Sequence, residues 1–383
     1  MPTRTRRSVA PTSASESAAE SDDPLFTSHQ IIDPSGAVVG TVPDLTDDDL
    51  LRLHRAMVLT RVFDVRMLTM QRQGQMGTFA PGYGQEATQI GQVFPLGDID
   101  WFAPSYRSFG AQLWRGWELE RLMLLWDGYH DGFPPPPNVR DLPFSIVIGS
   151  HVLPAVGIGM GMRYRGEEGV IVTNFGDGAL SQGAVAEAFN FATVYDAPVV
   201  FVVENNGYAI STPTTKQCGI ESLAARGSGF GMPAQRVDGN DILAMTDAMT
   251  TAVDRARRGD GPTLIEAVTY RIGVHTTADD PTVYRQDAEV EEWKGKCPIT
   301  RFEAFLAARG TLDADGAREV VESCERDVLA ARDQFRAMAE KKPQEIFDYM
   351  FETLTPELRE QYADYVARLQ RKGITVPPRG GDA

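Results

Sequence analysis

The chain has 383 residues, 42% hydrophobic and 23% charged, with 37 basic against 53 acidic side chains and a net charge of −16. Such a composition suits a globular enzyme with a sizeable core, and the acidic balance excludes a general nucleic-acid or lipid-surface binder, which needs a basic field. No apolar run approaches the about 20 residues of a membrane span, and the scattered Cys218, Cys297 and Cys324 form neither a disulfide framework nor a metal-spaced cluster, which points to a reducing compartment.

The first 24 residues are small and polar, with Arg4, Arg6 and Arg7 followed by acids, and hold no secretory core. Residues 1–44 are therefore expected to be a disordered or extended tail. From Leu45 the pattern turns helical and runs to Gly74. Leu50, Leu51, Leu53, Met57, Val58, Val62, Val65 and Leu68 are its expected buried face. In "TDDDLL" the acids read as a helix cap and a solvated face rather than a metal site. A glycine-rich stretch leads into a helix near Gln85, where Glu86 reads as a helix-start carboxylate. A further helix carries Leu113, Leu122, Leu124 and Leu125, and Pro134 to Pro137 enforce an irregular connection. The glycine alternation "GIGMGMR" at 157–163 lacks a preceding strand and a G-x-G-x-x-G register. It reads as close helix packing rather than a nicotinamide site.

The centre of the chain alternates. "GVIVTNF" (169–175), "PVVFVVE" (198–204) and "TLIEAVTYRIG" (263–273) are apolar, β-branched runs, separated by the helical "GAVAEAFNFATVYD" and by a helical segment near 241–258. Such runs read as strands of a mostly parallel sheet flanked by helices, an α/β fold. Residues 45–340 are assigned to this domain. From Asp313 to Gln370 the chain reads as charged amphipathic helices broken around Lys342-Pro343, with 341–383 as a C-terminal helical extension.

Within this core "GDGALSQGAVAEAFNFATVYDAPVVFVVENNGYAIS" places Asp177 between glycines and twenty-six residues between Gly178 and Asn205. A right-handed crossover returns the second strand to the side of the first, with both carboxyl ends on one edge, where ligands of such sheets bind. The spacing therefore brings a carboxylate and an amide together. One carboxylate, one amide oxygen and one backbone carbonyl supply half an octahedral shell, as for Mg²⁺ that phosphate oxygens and water complete. Gly176 and Gly178 are expected to allow a tight turn and a close diphosphate, and Ala179 to Gln182 to open a helix whose amides favour the anion.

Gly-Asp-Gly, twenty-six residues and Asn-Asn resemble the thiamine diphosphate signature. The continuation "NNGYAISTPT", with "GQEATQIG", "PSYRSFG", "AARGSGFGMPAQRVDGND", "GPTLIEAVTYRIG" and "HTTADDPTVYR", is similar to the α subunit of the E1 component of 2-oxo acid dehydrogenase complexes over roughly residues 45–340. The resemblance implies a thiamine diphosphate-binding fold with helical N- and C-terminal extensions. It implies that Asp177, Asn206 and the Tyr208 carbonyl ligate Mg²⁺. Tyr106 and Arg107 would contact the diphosphate, with Gly176, Gly178 and Ala179 around it. The backbone near Ile146 and Ile148 would face the aminopyrimidine, and His275 would sit at the reactive end as the catalytic residue. His130 and His151 are read as structural.

The same resemblance implies decarboxylation of a small 2-oxo acid by the cofactor and acyl transfer to the lipoyl group of an E2 acyltransferase. It also implies an α₂β₂ heterotetramer whose E1 β subunit supplies the glutamate at the aminopyrimidine. Neither membrane nor nucleic acid is an expected partner. "TFAPGYGQEA" and "HTTADDPTVYR" are most similar to bacterial pyruvate dehydrogenase α chains, which favours pyruvate over branched-chain 2-oxo acids and acetoin. A bacterial or archaeal cytoplasm is the expected location, ahead of the mitochondrial matrix. Gln182 and Ala184 stand where that family commonly carries acids, Val274 where His or Pro is frequent, and Glu204 where some members are basic or neutral. Gln182 and Ala184 leave a non-catalytic, assembly or regulatory homologue as the reading from another class.

Overall fold

A computed structural model describes residues 23–339 and 345–376. The expected break at Lys342-Pro343 and the first 22 residues of the expected tail lie outside the described residues. The chain divides into two compact units, one ending at Arg332 and one beginning at Asp333; the sequence reading puts its boundary between residues 340 and 341.

The first unit is built on a sheet. Its strands are β1 (Trp101–Ala103), β2 (Arg140–Asp141), β3 (Ile171–Gly176), β4 (Val199–Asn205), β7 (Ala234–Asp238) and β8 (Thr263–Val268). They pair in the order β2-β1-β3-β4-β8-β7, every pair parallel. A separate two-stranded hairpin, β5 (Tyr208–Ala209) and β6 (Thr212–Pro213), rises just after β4. Alternation in β4 shows why its run is continuously apolar. Val200 and Val202 enter one core cluster with Ile90, Ile242 and Met245, while Val199, Phe201 and Val203 enter the other with Val185 and Phe189. Both faces are covered, as a parallel sheet requires.

The helices follow in order. Helix α1 (Asp47–Arg72) starts at a capping box in which Thr46 and Asp49 exchange hydrogen bonds, so the acidic run is a cap. Its buried face is Leu50, Leu53, His54, Met57, Val58, Thr60, Phe63, Asp64, Met67 and Met70. The expected face is corrected at Val65, which is 53% exposed; polar His54, Thr60 and Asp64 take inward places that an apolar pattern cannot announce. Helix α2 (Glu86–Gly91) is buried throughout. The expected single helix around Leu113 to Leu125 is two, α3 (Phe109–Trp114) and α4 (Leu119–Trp126), because Gly116 adopts φ 95° between them. Helix α5 (Val152–Arg165) contains the whole glycine alternation, and Gly159 lies against Val199, where a Cβ would approach Val199 Cγ2 to 2.8 Å. Close helix–sheet packing is thus its use. Helix α6 (Gly183–Val194) crosses from β3 to β4. The short α7 (Thr214–Gln217) and α8 (Ala225–Gly229) precede β7, and α9 (Ile242–Arg257) joins β7 to β8. Helices α10 (Asp287–Lys294), α11 (Pro298–Arg309) and α12 (Ala314–Met338) follow.

Residues 23–44, read from the sequence as tail, run along the outer edge of β7. His29 N–H donates to Arg236 O at 2.8 Å, and His29 O accepts from Asp238 N at 3.0 Å. Ile31 and Ile32 are fully buried, and both their amides donate to Asp241 Oδ2 at 2.7 Å. The segment covers a sheet edge that would otherwise offer unpaired backbone groups. In the second unit, α13 (Glu345–Asp348) and α14 (Pro356–Arg371) pack through Phe347 against Tyr362 and Tyr365, with ring centroids 5.4 and 5.8 Å apart. No helix among the described residues is long and apolar enough to cross a membrane.

The contact between α2 and α9 is a quantitative test of the packing. A Cβ on Gly91 would lie 2.5 Å from Met245 Cβ, an atom no rotamer can move. Gly91→Ala should therefore lower stability in a urea titration by about 1–3 kcal/mol, even though alanine gains about 1 kcal/mol in helix propensity. A variant as stable as the parent would show that the helices separate freely.

Candidate functional site

The parallel register builds the site. Gly176 at the end of β3 pairs with Glu204 of β4, and Asn205 pairs with Val268 of β8. One residue further along each strand, Asp177 and Asn206 emerge at the same edge, as the crossover spacing requires. They line a cleft of about 220 Å³. Of the sequence-derived residues, Tyr106, Arg107, Ile148, Gly176, Asp177, Gly178, Ala179, Asn206, Tyr208 and His275 all face this cleft. Ile146 does not line it and is 68% exposed.

Asp177 is 3% exposed, and burial pushes its carboxyl above the ordinary range, against hydrogen bonds from Thr214 and Gln217. Its Oδ2 accepts from Thr214 Oγ1 at 2.9 Å and from Gln217 Nε2. Oδ1 accepts from no described side chain, yet it is not among the polar atoms sealed from solvent without a partner. It is the oxygen left for a ligand. The Asn205 and Asn206 amides divide their work. Asn205 Nδ2 donates to Glu266 Oε1 at 2.8 Å, away from the cleft. Asn206 Nδ2 donates to Gln85 Oε1 at 3.1 Å, which fixes the amide and leaves Oδ1 with only a long 3.4 Å contact from Tyr208 N–H. Among the described residues no group of three or more His, Cys, Asp or Glu could hold a metal. The donor set here is instead one carboxylate, one amide and the backbone, a hard-oxygen set suited to Mg²⁺.

One sequence expectation is corrected at this turn. Residues Asp177–Ser181 form a 3₁₀ turn, and α6 begins at Gly183 with Gln182 extended at its N-cap, so Ala179 to Gln182 do not open the helix. Neither Gly176 nor Gly178 has a positive φ. Gly178 is required by proximity, because a Cβ there would meet Ala209 Cβ of the hairpin at 2.7 Å, while Gly176 leaves open space.

Across the cleft, Arg107 and Arg271 converge on His275. Arg107 Nη2 and Arg271 Nη1 each lie 3.1 Å from His275 Nδ1, so Nδ1 is an unprotonated acceptor and the ring is neutral with its proton on Nε2. Burial, then the charges of Arg107 and Arg271, pull the His275 pKa down to about 3. Asp279 Oδ2 holds the backbone, accepting from His275 N–H at 2.6 Å. Tyr106 meets the ring edge-on at 6.4 Å, beneath the Arg107 guanidinium. Arg271 is 1% exposed. Its Nη2 donates to Ile210 O at 2.7 Å and to the Tyr284 hydroxyl at 2.9 Å, but its Nε has no partner. Neither guanidinium pairs with a carboxylate among the described residues. Two buried cations with no directly paired carboxylate among the described residues, beside an orphaned N–H, fit an anionic group such as a diphosphate.

Arg271 was missed in the sequence. Its signal was available, since it follows the third strand of the alternation at the same edge, four residues before His275. Thr214 and Gln217 were missed too, and nothing in their spacing marks them. His151, read as structural, stands in the cleft wall. Its Nε2 lies 2.8 Å from Asn174 O and its Nδ1 is unpartnered, and burial holds its pKa below the ordinary value. Glu204 also lines the cleft. Burial raises its carboxyl, while Asn174 Nδ2 at 2.7 Å and Gln92 Nε2 at 3.2 Å donate to Oε1. Glu86 opens α2, but its carboxylate is engaged by Arg61 and by Gly84 N–H rather than by the helix end alone. Gln182 lines the cleft and Ala184 is half-buried in the first turn of α6. Ile210, at the hairpin tip, takes φ 56°, a costly conformation for a β-branched residue that Arg271 clamps through its carbonyl.

Residues 54–345 match the family described as Dehydrogenase E1 component. The chain is 41% identical over 339 residues to the "Pyruvate dehydrogenase E1 component subunit alpha" of Staphylococcus aureus (strain Mu50 / ATCC 700699), covering 88% of this chain and 92% of that one. The identity and coverage are the same for the protein of that name from Staphylococcus epidermidis (strain ATCC 12228 / FDA PCI 1200).

The His275 geometry predicts a titration. With a native pKa of about 3 against an unfolded value near 6.5, the unfolded chain binds a proton that the native chain refuses. Stability from this residue is complete above about pH 6.5 and falls as pH drops toward 3. In ring-nitrogen NMR of the chain without ligands, His275 should stay neutral from pH 8 down to about 5, with a deprotonated Nδ1. A midpoint near 6.5 would mean that the arginines do not share its lone pair.

Proposed function

The chain belongs to the dehydrogenase E1 component family, and from that membership we propose that it is the α subunit of a pyruvate dehydrogenase E1 component. With an E1 β subunit, as an α₂β₂ heterotetramer in the bacterial cytoplasm, it oxidatively decarboxylates pyruvate and passes the acyl group to the lipoyl arm of an E2 acyltransferase. The observation that carries this reading is the placement, across one cleft, of an open hard-oxygen set at Asp177 and Asn206 opposite the Arg107 and Arg271 guanidiniums, which pair directly with no carboxylate among the described residues. Pyruvate is supported by the names of the staphylococcal relatives.

The residues present fit Mg²⁺ and thiamine diphosphate. Asp177, Asn206 and the Tyr208 carbonyl would hold the cation. Tyr106, Arg107 and Arg271 would hold the diphosphate, with Gly176, Gly178 and Ala179 keeping the sheet edge open to it. The backbone near Ile146 and Ile148 would face the aminopyrimidine. When bound, thiamine diphosphate supplies the electron sink for decarboxylation. The chain's own contribution is binding, orientation and charge. His275, held neutral, keeps Nε2–H free to donate to the substrate or the phosphate, and Asp279 fixes the backbone that carries it.

The only carboxylates lining the cleft among the described residues are Asp177 and Glu204, and both are already bonded within the chain. This supports an acid–base carboxylate that comes from the β subunit.

Co-expression with the β partner, followed by decarboxylation assays with an artificial electron acceptor, tests the reading. Turnover should require both thiamine diphosphate and Mg²⁺, with kcat/KM highest for pyruvate against 3-methyl-2-oxobutanoate and acetoin. Bound cofactor without turnover on any of them would instead support the non-catalytic homologue. Asp177→Ala should abolish Mg²⁺-dependent cofactor binding. Arg271→Met should raise the cofactor concentration for half-saturation about 10- to 100-fold, the weight of a lost charged hydrogen bond.

A further inference from the structure

We propose that Thr214 and Gln217 set the cation selectivity of the site by confining Asp177 to a single ligating oxygen. The inference rests on the Mg²⁺–thiamine diphosphate reading above and concerns how the chain chooses its cation. Both donors act on the same atom. Thr214 Oγ1 reaches Asp177 Oδ2 at 2.9 Å and Gln217 Nε2 donates to it as well, while no side chain among the described residues donates to Oδ1. A carboxylate so held offers the cleft one oxygen, not two.

The clamp is built into the local fold. Thr214 and Gln217 stand three residues apart at the two ends of α7, so both side chains leave one face of a single turn. Thr214 N–H donates to Gly207 O at 3.0 Å, which ties that turn to the loop carrying Asn206 and Tyr208. The hairpin in turn lies against Gly178, where no Cβ would fit. Asp177 Oδ2, the Asn206 loop and α7 are thus one connected unit, and the Thr214 hydroxyl also approaches Asn205 Oδ1 at 3.4 Å.

Monodentate carboxylate binding distinguishes cations. Mg²⁺ demands near-ideal octahedral geometry and is served by single oxygens at short range. Ca²⁺ takes six to eight oxygens and exploits bidentate carboxylates. With Oδ2 saturated by two neutral donors, a second Asp177 contact would have to displace them, and the larger ion is denied the extra ligand. Outer-shell partners of this kind orient the ligand they bond. Freed of them, the carboxylate can rotate and present both oxygens.

The test uses the αβ complex stripped of cofactor, with thiamine diphosphate binding followed by quenching of intrinsic tryptophan fluorescence as Mg²⁺ or Ca²⁺ is titrated. In Thr214→Val and Gln217→Met the Mg²⁺ concentration for half-maximal binding should rise about 10- to 100-fold, while the Ca²⁺ requirement rises less or falls, so that the preference moves toward Ca²⁺. Thr214→Ser keeps the hydroxyl and should keep the wild-type preference. The thermal midpoint of each stripped complex checks folding. Should Thr214→Val fail to fold, Gln217→Met, at a half-buried surface turn, carries the test alone. Equal shifts for both cations, no shift for either, or Thr214→Ser behaving like Thr214→Val would overturn the proposal. Wild-type binding of thiamine diphosphate that ignores divalent cations would overturn the underlying cofactor reading instead, and is read before any variant.

Discussion

Everything at the site depends on the parallel register of β3, β4 and β8. Gly176 beside Glu204 and Asn205 beside Val268 bring three chain segments to one edge at one height. A slip of one residue in any of them would turn its side chains to the opposite face. It would also bury Asp177 under the sheet or lift it into solvent. The register is held by the cores on both sides, since Val199, Phe201 and Val203 cannot exchange places with Val200 and Val202 without emptying one cluster into the other. Packing far from the cleft therefore fixes the position of a carboxylate within it, and the irregular backbone that carries function is confined to the few residues after each strand. Those residues carry the cost. Asp177 is buried and Ile210 sits at positive φ, both where the rigid scaffold can hold them.

How much of this could be read from the sequence follows from what each feature needs. Strands β3, β4 and β8 were legible because burial on both faces leaves an unbroken apolar run, and the crossover length then places Asp177 near Asn206. Membership in a pattern of that kind is a local property. Arg271, Thr214 and Gln217 are different. Each acquires its role from a partner brought by tertiary structure, His275 and Ile210 in the first case and Asp177 in the others, and a polar residue at a loop or short turn looks the same whether or not such a partner exists. The same limit explains α1, where inward His54 and Asp64 are met by Glu303 and Gly82 from elsewhere in the fold, while Thr60 bonds back to Ala56 O of its own helix. Asp64 accepts from Gly82 N–H at 2.9 Å, and burial pushes it up to about 7, ahead of the opposing charges of Arg107 and Arg61. The edge-covering segment at 23–44 was hidden for another reason. Two isoleucines among polar residues carry no periodicity, and their amides are satisfied by a single carboxylate, Asp241, more than two hundred positions away.

The electrostatics of the cleft then decide what the chain can do by itself. An acidic protein holds two guanidiniums beside a histidine that they and burial keep neutral at ordinary pH, with no carboxylate among the described residues paired to either guanidinium. On the opposite side, a carboxylate is buried with one oxygen saturated and one left over. Each half is costly alone, because buried charge without a partner is penalised. Their attraction across the cleft is only partial, Arg271 lowering the Asp177 carboxyl without overcoming its burial, since Asp177 is bonded to Thr214 and Gln217 and Arg271 to Ile210 O and Tyr284. A ligand with a cation at one end and a string of anionic oxygens beside it relieves both costs at once. It would place positive charge against Asp177 and negative charge against Arg107 and Arg271, and free energy lost in folding such a site returns as affinity. Among the described residues only Asp177 and Glu204 are acids lining the cleft, and Glu204 is bonded to Asn174 and Gln92 rather than to either arginine. A carboxylate paired directly with the arginines would satisfy the site before the ligand arrived. On the two-subunit reading, the proton-transferring group is kept off this chain for a physical reason: a surface that is to hold a diphosphate keeps its cations free of carboxylate pairs, and an acid brought by another chain leaves them so.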